Sequence, residues 1–354
     1  MITVFGATGY TGSLIASALD REGLAFRIAG RSAQKLSLLS EKLASKPAWV
    51  VADAAVQGSL MQLFKDTHLL INCAGPFTDI GERVLSQSAA SGVHYLDTTN
   101  ELNFVYRSQT YHALAQRSRA ALIPACGFEV AVSDCAVKWM SAEITALPES
   151  VDVAYHLSVM NASRGTRLSI LRTLATSWIA YENGAWKGAV PGRNFRVFGF
   201  QSGRHPATEI PSAESVTIPR HTPVHTVRVW MTGPPALVPI APVVIPLLSR
   251  LLRSWPGRSA LWAAGLSTKT PGSATLKPAP FEIIINLHSG SANLKYSLSG
   301  SGPYELTAEI ILSAAKAILS PGFERFGVLS PAQIIDPASI FPSGNAWGLR
   351  VQKL

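Results

Sequence analysis

A chain of 354 residues with 47% hydrophobic side chains is too apolar to be disordered and long enough for two cores. Only 15% of residues are charged, against ~25% in ordinary soluble domains, so a sizeable apolar surface or pocket is expected. The net charge of +9 is carried mainly between Arg164 and Arg258, where only Glu182, Glu209 and Glu214 are acidic; that stretch has no helix-turn-helix or RNA-binding signature, and a nucleic-acid partner is not expected.

The chain opens on Ile2–Phe5, which reads as a strand, and no basic segment with an apolar leader precedes it; a cytoplasmic chain is expected. Further apolar runs at Phe26–Ala29, Trp49–Val51, Leu69–Cys73, His94–Asp97 and Ala121–Pro124 are nearly continuous, as strands buried on both faces require. Between them, Tyr10–Glu22 carries Leu14, Ile15, Ala18 and Leu19 at helical spacing and stops at Gly23, and Ser32 caps a helix to about Leu43. Alternating strands and helices predict an α/β, doubly wound parallel sheet. After about Trp139 the pattern changes. Val151–Val159 alternates as a half-buried strand, Ser163 caps a helix from Arg164 to about Tyr181, and strands are expected at Arg196–Phe200, His225–Met231, Phe281–Leu287 and Leu294–Leu298. Ser289-Gly290-Ser291 signals a hairpin, and a last helix runs Tyr304–Leu319. The expected division is 1–138 for a nucleotide-binding domain, 139–320 for an α+β domain with a mostly antiparallel sheet, and 321–354 for a C-terminal segment.

Chemistry concentrates at the first turn. Gly6-Ala7-Thr8-Gly9-Tyr10-Thr11-Gly12 lies between the first strand and the first helix, where glycines permit a tight turn and the helix amino end offers N–H groups to a pyrophosphate. The second strand ends in Gly30-Arg31-Ser32 with Lys35 beyond, and lacks the acid that usually holds a ribose 2′-hydroxyl; a guanidinium there suits a 2′-phosphate, so NADP(H) is favoured. Asp53, at the end of the third strand, meets the adenine or simply forms a turn. After the fourth strand, Cys73, Ala74, Gly75 and Pro76 form a small-residue edge for the ribose and nicotinamide. Cys73, Cys126 and Cys135 form no CxxC pair, which fits a reducing compartment.

These motifs, with Ile71–Phe77, His94–Thr99 and Ile123–Phe128, resemble the saccharopine dehydrogenase-like NADP-binding proteins, in the branch holding trans-acting enoyl reductases and saccharopine dehydrogenase-like oxidoreductases. Weaker likenesses lie at Ser163–Thr166, Gly302–Thr307 and Gly327–Ala332. The resemblance implies a Rossmann domain, a second domain whose sheet can mediate homodimerisation, a C-terminal segment returning to the first domain, and hydride transfer with NADPH. Two places depart from the family pattern. Asn100 replaces the usual Gly before Glu101, and Gly127-Phe128-Glu129-Val130-Ala131-Val132-Ser133-Asp134 replaces the usual Gly-Phe-Asp-Ser-Val-Pro-Ser-Asp.

For protonation of the reduced substrate, the residues at the expected cleft edge are Tyr95, Asp97, Thr98, Glu101 and Ser133, with Arg164 or Thr166 from the second domain. Each has a plainer role open to it: Asp97 as a cap, Tyr95 as core, Arg164 as part of the basic face. No tyrosine has lysine four residues on, which removes short-chain dehydrogenase chemistry, and no histidine–glutamate metal motif is present. From Pro234 to Leu252 the chain is apolar, followed by Arg253, Trp255, Arg258 and Trp262; its prolines argue against a spanning helix. A lid over a hydrophobic small-molecule substrate, a peripheral membrane contact through 234–262 and a packed loop all remain open there. The leading expectation is an NADPH-dependent reductase of a hydrophobic enoyl thioester or polyketide-like chain, with an imine or amino-acid substrate as the chemical alternative. A non-catalytic NADP-binding protein at a lipid surface is the other class.

Overall fold

Nearly continuous apolar runs suit strands covered on both faces, and such runs form β1 (Ile2–Phe5), β2 (Phe26–Gly30), β4 (Leu69–Asn72), β5 (His94–Asp97) and β6 (Ala121–Ile123), with β3 (Trp49–Val51) at the sheet edge. The structure is a computed structural model that describes residues 1–144, 146–157, 169–170, 172–190, 192–254, 257, 279–290, 292–341 and 347–354. Connecting helices are α1 (Tyr10–Arg21), α2 (Ala33–Lys42), α3 (Gln57–Phe64), α4 (Phe77–Ser91), α5 (Leu102–Ser108), α6 (His112–Arg117) and α7 (Phe128–Ser141). Among the described residues the sheet has seven parallel strands, in the order Gly327–Val328, β6, β5, β4, β1, β2, β3. Val4, Ile28, Leu70, Leu96 and Leu122 fill its core. One expectation fails at the edge: β3 is not buried on both faces, because no strand follows it and Trp49 and Val51 are 43% and 44% exposed.

The second sheet is built from β7 (Ser150–Leu157), β8 (Trp178–Glu182), β9 (Ala185–Ala189), β10 (Phe195–Phe200), β11 (Gly203–Glu209), β12 (Thr226–Thr232), β13 (Pro280–Ser289), β14 (Ala292–Ser301) and, near the end of the chain, Arg350–Lys353. Helices α8 (Glu214–Thr217) and α9 (Ala241–Arg253) lie between its strands in sequence, and α10 (Pro303–Leu319), β15 (Gly327–Val328), α11 (Pro331–Ile334) and β16 (Arg350–Lys353) follow. The order is β10-β11-β12-β7-β13-β14-β16, with β8 on β12 and β9 on β8. Among the described residues only β7 and β12 run parallel; the other pairings are antiparallel. Val151, Val153, Val229, Ile283 and Ile285 are buried along the central strands, and Phe198, Phe200, Trp230, Ala154 and Ile284 form a further cluster.

Three expectations change. The start of the helix expected from Arg164 to Tyr181, including Ser163, Arg164 and Thr166, lies outside the described residues, and its end is strand: β8 turns into β9 through Asn183-Gly184, with φ 53 and 75. That left-handed pair is the two-residue hairpin turn that Asn-Gly favours. The stretch from Pro234 is not a packed loop, since Ala241–Arg253 is helical with Pro246 inside it. Finally, α10 packs on α1, so the division of the chain is Met1–Ala131 with Pro303–Ile335, and Val132–Gly302 with Asp336–Leu354. Among the described residues no helix is long and apolar enough to cross a membrane.

Candidate cofactor site

At the carboxyl end of β1 the chain must turn at once into α1, and Gly6 does so with φ +78. A Cβ on Gly6 would sit 2.7 Å from the Ala74 nitrogen, so the turn after β1 and the segment after β4 touch backbone to backbone. A Cβ on Gly12 would run into the Gly6 carbonyl, which lets the first turn of α1 start flush against the strand. Gly9 precedes α1 and supplies no side-chain cap, leaving the positive end of the helix for an anion. Thr8 and Gly9 are exposed there, and Tyr10 and Thr11 are half-buried. The cradle fits a pyrophosphate on this geometry alone.

Arg31, just past the end of β2, is exposed, and so is Lys35 on the first turn of α2. Ser32 is committed to the fold: its hydroxyl caps α2 by accepting the Lys35 N–H at 3.3 Å. Asp53 closes a local turn, accepting the Ala55 N–H at 2.9 Å, the plainer of its two expected roles.

Behind the small-residue edge the polar side chains are tied to backbone. Asn72 accepts the Ala74 N–H at 3.0 Å and donates to the Tyr95 hydroxyl at 3.1 Å, fixing the segment that Gly6 touches. Cys73 is followed by Ala74 and a cis Gly75–Pro76 bond, and burial pushes its thiol up, away from thiolate chemistry. Asp97 is fully buried; its Oδ1 accepts N–H groups from Thr99 at 3.0 Å and Ala125 at 2.8 Å, and the Tyr95 hydroxyl also favours its ionised form. Burial raises Asp97 to about 7, against the pull of the Ala125 and Thr99 donors. Glu101 is also buried and spans the amino end of α4: it accepts from the backbone of Phe77 at 3.0 Å and Thr78 at 2.6 Å, and from the Thr78 hydroxyl at 2.5 Å.

The residues expected to protonate substrate therefore separate by environment. Tyr95, Asp97 and Glu101 are buried, with their polar atoms bonded to neighbouring segments, and Thr98 is half-buried. Ser133 is buried as well, donating to Glu214 at 3.2 Å and accepting from Tyr155 at 3.0 Å. The group that sequence reasoning passed over is Glu129, on the first turn of α7. It is half-buried, it receives the Asn100 amide at 2.9 Å, and burial raises its pKa while that hydrogen bond lowers it. Helix α10 adds to the same unit: Tyr10 donates to Glu305 at 3.4 Å and meets Tyr304 edge-on at 5.0 Å, and Thr307 accepts the Phe128 N–H at 3.1 Å.

Comparison with known proteins agrees with this geometry. Residues 2–126 match the family model described as the saccharopine dehydrogenase NADP binding domain. A trans-acting enoyl reductase of Mycobacterium ulcerans is 35% identical over 139 residues, 38% of this chain and 33% of that protein. The human saccharopine dehydrogenase-like oxidoreductase is 27% identical over 220 residues, 57% of this chain and 46% of its own length. The matches thus span less than half of either relative. Among solved structures, apo histidine-tagged saccharopine dehydrogenase (L-Glu forming) from Saccharomyces cerevisiae superposes with a TM-score of 0.66 over 100% of this chain and 99% of that one at 9% identity, a likeness of fold.

Proposed function

We propose that the protein, whose residues 2–126 match the saccharopine dehydrogenase NADP binding domain, is an NADPH-dependent reductase of a hydrophobic substrate bearing an activated C=C bond. The observation that carries the cofactor half is the Gly6–Gly12 cradle at the uncapped end of α1, with exposed Arg31 at the end of the adjacent strand β2. Support for the substrate half is the low charge content and the likeness to a trans-acting enoyl reductase.

NADPH held in the Gly6–Gly12 cradle would supply the hydride. The chain has two tasks. Gly6, Asn72 and Glu101 hold the loops after β1 and β4 in one arrangement, so that the cofactor meets a fixed surface. Glu129, kept protonated to higher pH by burial, gives a proton to the carbon next to the one that accepts hydride. One C=C bond is thereby saturated.

The test is NADPH oxidation, followed by nicotinamide absorbance, with 2-enoyl thioesters of increasing chain length and with amino-acid-derived imines. Turnover that rises with chain length on the thioesters is expected. Turnover on the imines alone moves the reaction to C=N, and NADPH binding with no turnover on any acceptor overturns the reductase reading.

A further inference from the structure

An ordinary surface helix turns its apolar stripe inward, and α9 does the reverse. Ala241 and Ser249 are buried, and Ile245 lies against Gly192, where a Cβ would come within 2.8 Å of its Cδ1. The opposite side carries Ile240, Val244, Leu247 and Leu251 at alternating steps of four and three residues, with Val243 and Leu248 beside them. All six are exposed; Val243, Leu247 and Leu251 are 65%, 63% and 61% accessible. Exposed aliphatics in one continuous row mark a surface built for an apolar partner.

Charge identifies the partner. From Ser215 to Phe281 the sequence contains no Asp or Glu, and the charged residues of α9 are Arg250 and Arg253, both exposed in its last turns. A second copy seated face to face would offer Arg250 and Arg253 no carboxylate from the segment, whichever way the two helices ran, because the segment has none. An anionic phospholipid surface opposes them and accepts the aliphatic row at the same time. At ~1.5 Å per residue the helix is too short to cross a ~30 Å hydrocarbon core, so it lies in the plane of the interface. We propose that α9 is an interfacial helix that docks the protein on an anionic phospholipid surface, with Leu247 and Leu251 entering the acyl boundary and Arg250 and Arg253 at the headgroups.

The test is flotation of the full chain with phosphatidylcholine vesicles, with and without phosphatidylserine, at low and high salt. Expected is binding to the phosphatidylserine vesicles that weakens with salt. The paired change Arg250→Ala and Arg253→Ala should weaken partitioning roughly 30-fold, at about five-fold per arginine. Leu247→Asp with Leu251→Asp should abolish it while leaving NADPH affinity unchanged, which also reports an intact fold. Binding that is absent, indifferent to phosphatidylserine, or unaffected by the leucine changes overturns the proposal. So does light scattering that finds a dimer which Leu247→Asp dissolves, because the face would then join two copies of the chain.

Discussion

The Asn100 side-chain amide donates to Glu129 Oε2 at 2.9 Å, joining the loop after β5 to the first turn of α7. Both residues stand where the chain departs from the pattern of the proteins it resembles, so the two departures are one feature. The amide stabilises the ionised carboxylate while burial disfavours it, and burial is the larger influence on Glu129.

That opposition gives a signed prediction. If Glu129 donates the proton, activity falls on the basic side as its carboxyl ionises. Asn100→Ala removes the group favouring ionisation and should move that limb to higher pH. Glu129→Gln should lower kcat by ~10²–10⁴, the usual weight of a general acid, and abolish the limb. Steady-state pH profiles of the three proteins check this; a limb that moves to lower pH in Asn100→Ala removes Glu129 from the mechanism.

Gly12→Ala should cut NADPH affinity at least tenfold, because the new methyl meets the Gly6 carbonyl and must push α1 off the strand; such overpacking commonly costs ~1–3 kcal/mol. Gly58→Ala is the control, since its Cβ meets open space in α3, and it should hold or raise stability by up to ~1 kcal/mol. Calorimetric titration with NADPH and thermal melts of both variants decide the matter; equal affinities would mean that Gly12 does not shape the cradle.

Two buried groups titrate in opposite senses. Burial and, secondarily, His68 lower His94 from 6.5 to about 4, and its Nδ1 accepts the Ala121 N–H at 3.0 Å. The unfolded chain binds this proton first, so the His94 contribution to stability is present above 6.5 and is lost as pH falls toward 4. Asp97, raised from 3.8 to about 7, does the opposite: the unfolded chain ionises first, and stability falls as pH rises through that window. Relative to the parent protein, Asp97→Asn should therefore gain stability with rising pH, by up to about 4 kcal/mol at ~1.4 kcal/mol per pKa unit. His94→Gln should instead gain on acidification, by up to about 3 kcal/mol. Urea titrations at about pH 4.5 and about pH 7.5 test both signs; a difference that does not change with pH contradicts the assignment for that residue.

The parallel sheet was legible because a strand covered on both faces has no polar alternation, and Ile2–Phe5, Leu69–Asn72 and Ala121–Ile123 have none. The cradle was legible because Gly6, Gly9 and Gly12 act within one turn, between elements that the sequence itself announces. The small strand Gly327–Val328 was not, since two residues carry no period, and the β8–β9 hairpin was hidden under an apparent helix until Asn183-Gly184 is taken as its turn. Tyr95 and Asp97 lie in β5 and Glu101 in the loop after it, but their burial depends on the Asn72 amide, the Ala125 N–H and the amino end of α4, which lie far off in sequence. Glu129 reads in the sequence as a departure from the family pattern and not as an acid, because its partner Asn100 sits in another loop.

The most direct test is calorimetric titration of the protein and of Arg31→Ala with NADPH and with NADH. NADPH should bind more tightly than NADH, and Arg31→Ala should weaken NADPH by ~10–100-fold, as expected for charge-assisted hydrogen bonds of ~1.5–3 kcal/mol, while NADH changes little. Preference for NADH, or an equal loss for both coenzymes in Arg31→Ala, would contradict the account.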